Sequence, residues 1–116
     1  LKVVELYNSA PQSYLDDQYM EQTDKIYKMA RKFILKRAIY ISKFYIEKGE
    51  FSSACSRINN ASTFIPDLVE NSYEAQYLKV VCLAKDKNNN VAIEDLRSSY
   101  KSKFPNSPFL DDLDEI

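Results

Sequence analysis

The sequence predicts an all-α protein, and three observations carry that reading. Glycine occurs once and proline four times in 116 residues, so the residues that punctuate β-hairpins are scarce. Apolar residues recur at three- and four-residue steps rather than in alternation, as in Leu15, Tyr19, Ile26, Ala30, Phe33, Ile41 and Tyr45; that is a helical period. Hydrophobic residues make up 45% of the chain, enough for a core in one domain or a few stacked hairpins.

Taken in order, residues 1–8 carry Leu1, Val3, Val4, Leu6 and Tyr7 and read as the tail of a helix. Pro11 ends it, because the residue before a proline avoids helical geometry. Ser13 then offers an N-cap, with Asp16 and Asp17 in the first turn, where negative charge suits the helix dipole. The second helix is predicted over residues 14–48, since neither glycine nor proline interrupts the apolar row before Gly49. At about 1.5 Å per residue it is roughly 50 Å long, straight or with one bend near residues 32–36.

The third helix, 51–63, places Ala54 and Ala61 seven residues apart with Ile58 between them. Pro66 opens the next unit, and Val69, Tyr73, Tyr77, Val80, Val81 and Ala84 predict a helix over 68–86. The run from Lys87 to Asn90 is a polar turn in which asparagine takes the place of glycine. A fifth helix over 91–104 turns Ala92, Leu96 and Tyr100 inward. Pro105 breaks it, and Phe109, Leu110 and Leu113 form a short closing turn. The acids Asp111, Asp112, Asp114 and Glu115 read as a frayed, solvated end. Beginning at Leu1 in mid-pattern, residues 1–116 are expected to be one repeat domain, a C-terminal fragment of a longer protein.

Composition also excludes function classes. Histidine is absent, which removes the commonest general base, the serine and cysteine triads and most zinc sites. No glycine-rich phosphate loop is present. An enzyme is not expected, and no catalytic residue, cofactor or metal ligand is assigned. Net charge is −1, so no global field draws the chain to nucleic acid. No run of 18 or more apolar residues is long enough to span a membrane.

Tyr45, Gly49, Phe51, Ala54, Ile58, Ala61 and Pro66 stand at the spacing of one tetratricopeptide hairpin, a unit of about 34 residues. Small side chains let two helices approach, large ones fill the gaps, and glycine permits a turn conformation that other residues resist. Gly49 and Ala54 are echoed at the same separation by Lys87 and Ala92. The expected architecture is therefore a stack of tetratricopeptide-like hairpins, an α–α superhelix with one long helix at about 14–48.

The phrase Phe44-Tyr45-Ile46-Glu47-Lys48-Gly49-Glu50-Phe51, followed by Ala54-Cys55-Ser56-Arg57, Pro66-Asp67, Glu74-Ala75 and Phe104-Pro105-Asn106-Ser107, resembles the C-terminal half of the BamD family. These are the outer-membrane assembly lipoproteins of Gram-negative bacteria. Ala10-Pro11-Gln12-Ser13-Tyr14 matches the family's opening phrase too, so the resemblance covers nearly the whole chain. It departs at Arg37-Ala38, where the family has a His-Glu pair, at Ile65, where it has tyrosine, and at the last hairpin, which lacks a glycine. The resemblance implies a non-catalytic scaffold at the periplasmic face of the outer membrane, held there by a lipid anchor outside these residues. It implies docking to the periplasmic POTRA region of BamA, and to further assembly lipoproteins, with no role for nucleic acid. Arg57 is the residue that the resemblance assigns to a salt bridge with a BamA carboxylate. Tyr45, Gly49 and Phe51, from the same phrases, complete the expected partner-binding set.

Other residues carry competing readings. Lys25, Lys28, Lys32 and Lys36 share one helical face, a solvated exterior or, more sharply, a surface for an acidic partner or anionic lipid. Among nine tyrosines, Tyr19, Tyr27, Tyr45, Tyr73 and Tyr77 are expected in core or inter-hairpin packing. Tyr14, Tyr40 and Tyr100 are candidates for interface anchors. Cys55, beside Ala54, reads first as a small buried residue, with a disulfide to Cys82 as the alternative in an oxidising periplasm. Two alternative functions compete with assembly. One is a generic repeat adaptor that cradles a peptide tail with converging basic or asparagine side chains; the other is a regulatory repeat domain of a larger protein.

Overall fold

A computed structural model describes residues 17–86 and 92–116. Among the described residues there are six α-helices and no strand. They are α1 (Asp17–Glu47), α2 (Phe51–Phe64), α3 (Pro66–Asn71), α4 (Tyr73–Lys85), α5 (Ile93–Lys103) and α6 (Leu110–Asp114). The expected helix over 1–8, the Ser13 cap, Tyr14 and the turn at Lys87–Asn90 lie outside the described residues.

The long helix is continuous through residues 32–36, because nothing in its sequence removes a backbone donor or favours a bend. It ends in a Schellman turn. Gly49 N–H donates to Ile46 O at 3.0 Å and Glu50 N–H to Tyr45 O at 2.9 Å, which satisfies two carbonyls that the last helical turn leaves free. Gly49 takes φ +75° there, the left-handed region in which a side chain is strained. The chain then reverses, and α2 runs back along α1.

The predicted helix over 68–86 is two helices, not one. Ser72 sits in extended geometry between them, and its hydroxyl accepts from Ala75 N–H at 3.1 Å, capping α4. The end of α3 is closed by Gln76, whose side-chain amide donates to Val69 O at 2.9 Å. Pro66 occupies the first turn of α3, where its missing N–H costs no helical bond. Ile65, at the α2–α3 corner, is fully buried.

The packing order follows the chain. Helix α2 lies against α1 on one side and α4 on the other, α1 also meets α4, and α5 packs on α4. The main core joins Ala38 and Ile39 of α1 to Ile58 and Ala61 of α2, Ile65, Val69 of α3, and Ala75 and Leu78 of α4. Ala54, Ile58 and Ala61 are buried as their spacing predicts. Because Ala54 has only a methyl group, the two helices come close enough for the buried Ser42 hydroxyl to donate to Ala54 O at 3.1 Å.

Beside that contact, Cys55 and Cys82 form a disulfide between α2 and α4, with Cα atoms 5.7 Å apart. The first reading, a merely buried thiol, is therefore corrected in favour of the alternative. The same small-residue seam that buries Cys55 also brings α4 within bonding distance. Four further expectations change. Ile26, Phe33 and Phe44 lie in the helical apolar row but are exposed, while Ala38, Ile39 and Ser42 supply the buried face of α1. Tyr73 is 47% exposed, and Ala92 is exposed because α5 begins only after it, while Tyr100 is buried as its inward placement predicts. Asp114 is not a free end charge, since Lys101 Nζ reaches it at 2.7 Å.

The C-terminal elements are fastened by two polar residues. The Tyr100 hydroxyl donates to Tyr73 O at 3.0 Å and lies 2.7 Å from Ser107 Oγ, so burial of that ring leaves no unsatisfied oxygen. Arg97 donates to Leu113 O at 3.1 Å and also to Ile116 O, holding α6 onto α5. Around them Val80, Tyr100 and Leu113 form a small core with Tyr77, Leu96 and Phe104, and the Tyr77 ring stacks on Phe109 at 4.6 Å.

Reducing the disulfide should lower the unfolding free energy by about 3–4 kcal/mol, the chain-entropy value for a loop of this length, as read from urea unfolding with and without reductant. A change below 1 kcal/mol would show that α2 and α4 hold together without the bond. Acid should act through three exposed ion pairs. Arg31 donates to Asp67, Lys103 to Glu70 and Lys101 to Asp114, and each hydrogen bond holds its carboxyl below the usual range. Folded-state values below the unfolded ones mean a contribution that is present at neutral pH and lost as pH falls. The thermal midpoint should stay level between about pH 8 and pH 6 and decline below about pH 4.5; a midpoint that rises on acidification would contradict these pairs.

Candidate functional site

The exposed face between α1 and α2 holds a groove of about 370 Å³. Phe33, Ile34, Arg37 and Ala38 of α1 form one wall, and Arg57, Asn60, Ala61 and Phe64 of α2 form the other. The floor is apolar because Ala38 and Ala61 are nearly fully buried and too small to fill the space. The lips are polar, since Arg37 and Asn60 are exposed and Arg57 is half-buried.

The spacing places these side chains together. On α2, Arg57, Asn60, Ala61 and Phe64 recur at three- and four-residue steps, and on α1 Phe33 and Arg37 are four apart, so each set lies on one helical face. Neither Arg37 nor Arg57 makes an ion pair among the described residues. Other basic residues of the same region are engaged. Arg31 pairs with Asp67, Lys43 with Glu74 at 3.3 Å, and Lys28 with Asp24 at 3.0 Å. Two guanidinium groups beside two aromatic rings, over an apolar floor, suit a carboxylate that carries an apolar neighbour. Each guanidinium offers a planar fork of donors, and the low-dielectric floor strengthens the attraction.

The structure separates the four residues expected to bind a partner. Arg57 lies in the groove. Tyr45 and Phe51 are packed at the other end of the hairpin, against the Ala54, Cys55 and Cys82 cluster. Gly49 is at the exposed turn between them, with open space where a side chain would project. Their placement gives them a part in closing the hairpin, apart from the groove. Reading the sequence alone missed Phe33, Arg37, Asn60 and Phe64 as companions of Arg57. Their steps on each helix were visible, but the facing of α1 on α2 was not.

Among the described residues no group of histidine, cysteine, aspartate or glutamate is placed to hold a metal ion. No described helix is long and apolar enough to cross a membrane. The described residues form an all-α fold with a cationic, aromatic-walled groove. Comparison with family models, curated proteins and solved structures finds no match.

Because neither guanidinium is tied into the fold, Arg37→Ala and Arg57→Ala should each change the unfolding free energy by less than about 0.5 kcal/mol. Ile58→Ala, on the same helix but fully buried, should cost about 2–5 kcal/mol. Urea unfolding of the three variants measures the contrast, and a large loss from either arginine would make it a structural residue.

Proposed function

We propose that the chain is a non-catalytic docking scaffold of the tetratricopeptide-like, BamD type, and that it holds the periplasmic POTRA region of BamA during assembly of outer-membrane β-barrels. The observation that carries this reading is the groove at Arg57. The residue singled out by the BamD-like phrase is half-buried beside an apolar floor, has no ion pair of its own among the described residues, and is joined there by Arg37. A carboxylate of a folded partner, set beside an apolar side chain, matches that chemistry.

Two further observations support the reading. The packing of α2 between α1 and α4, with α1 also touching α4 and α5 following on α4, is the order expected of consecutive stacked hairpins. The Cys55–Cys82 disulfide suits an oxidising compartment such as the bacterial periplasm. In this proposal the scaffold has no cofactor and no nucleic-acid partner, further assembly lipoproteins dock on it, and a lipid anchor outside these residues ties it to the outer membrane.

A second reading keeps the same groove. Arg37, Arg57 and Asn60 converge over it, as a repeat adaptor that captures the free carboxylate of a peptide tail would require.

A pull-down and titration with a BamA periplasmic fragment separates the two readings. Assembly docking predicts binding that falls at least about tenfold in Arg57→Ala, the scale of one lost charge-assisted contact, with the thermal midpoint unchanged. Undiminished affinity in that variant would remove Arg57 from the interface. Binding to a free C-terminal peptide but not to the folded fragment would favour the adaptor.

A further inference from the structure

We propose that the outward face of α1 docks an amphipathic helix of a partner protein, one that carries acidic residues along both edges of its apolar seam. This goes beyond the Arg57 contact and shares only Phe33 and Arg37 with its groove.

Helix α1 has two apolar faces. One faces α2, α3 and α4. On the opposite side Met29, Phe33 and Tyr40 are 62%, 65% and 71% exposed, in line with Ile26 and Phe44. At about 100° per residue these five fall within roughly 60° of one another, and from Ile26 to Phe44 the stripe is about 27 Å long. Isolated surface apolar residues need no explanation, but five on one face of a single helix mark an interaction surface.

The register favours a helix as the occupant. Ile26, Phe33 and Tyr40 are spaced by seven, with Met29 three residues after the first. That is the repeat that keeps a seam in line with a second helix crossing at a small angle. A bilayer has no such register. The stripe also opens at Phe33 and Arg37 into the concave groove, which a partner side chain can enter and a flat membrane surface cannot.

The rim sets the partner's charge. Lys25 and Lys32 each precede a seam residue by one, Lys36 takes the seam position one heptad after Met29, between Phe33 and Tyr40, and Arg37 stands on the opposite edge. All four are exposed and make no ion pair among the described residues. Of the nearby acids, Asp24 is paired with Lys28, while Glu21 and Glu47 lie beyond the two ends of the stripe. In paired helices the residues flanking the apolar seam select opposite charge, so the edges call for glutamate or aspartate.

The test uses two synthetic amphipathic helices with identical apolar seams, one flanked by glutamate and one by lysine, titrated by fluorescence anisotropy. The glutamate peptide should bind at least tenfold more tightly than the lysine peptide. Lys25→Glu, Lys32→Glu and Lys36→Glu combined should reverse that preference, and Met29→Ser with Tyr40→Ser should abolish binding without lowering the thermal midpoint. These exposed residues are outside the Arg57 contact, so BamA-fragment binding should survive in the serine variant, and loss of one interaction is distinguishable from loss of the other. Equal affinity for both peptides, or none, would overturn the proposal. So would a dimer by light scattering that the serine variant dissolves, or binding to phosphatidylglycerol vesicles in place of the peptide.

Discussion

The close approach of α1 and α2 at Ala54 is the contact on which the rest of the structure depends. With only a methyl group at position 54, the buried Ser42 hydroxyl reaches the Ala54 carbonyl across the helix pair. The adjacent cysteine then meets Cys82 on α4, so one short stretch of α2 couples three helices. A bulkier residue at position 54 would push the pair apart, losing the buried hydrogen bond and placing the disulfide under distortion.

That constraint also shapes the groove. Alanine recurs at positions 38 and 61, where the helices remain near one another but nothing large fills the outer edge. The result is an apolar trough under two arginines rather than a closed core. The hairpin is thus tight at its Gly49 end, where Tyr45 and Phe51 pack on the disulfide, and open toward Phe33 and Phe64. The tight packing and the open groove occupy different parts of the same helix pair.

Polar side chains play a second, local part. Ser72 and Gln76 close the break between α3 and α4, while Tyr100 and Arg97 hold the C-terminal elements through backbone carbonyls. These bonds add to the backbone pairing at helix ends and satisfy the hydroxyl of a buried ring. Burial disfavours the charged phenolate and raises the pKa of both Tyr77 and Tyr100, as expected for rings whose work is packing.

Helical periodicity, the scarcity of glycine and the alanine spacing on α2 were legible in the sequence, because they are local rules that each segment obeys by itself. They predicted α1 as one long helix, α2 nearly to its ends, the turn at Gly49 and the closing turn at Leu110. The break at Ser72 was less legible, since a serine within an apolar row reads equally as a surface residue or a cap. Arg57 could be singled out, but its companions Arg37, Asn60 and Phe64 could not. Which apolar row of α1 faces inward, whether Cys55 meets Cys82, and which arginines share a groove depend on how helices are rotated against one another. Those rotations are decided by packing between segments distant in sequence, and only the tertiary structure contains them.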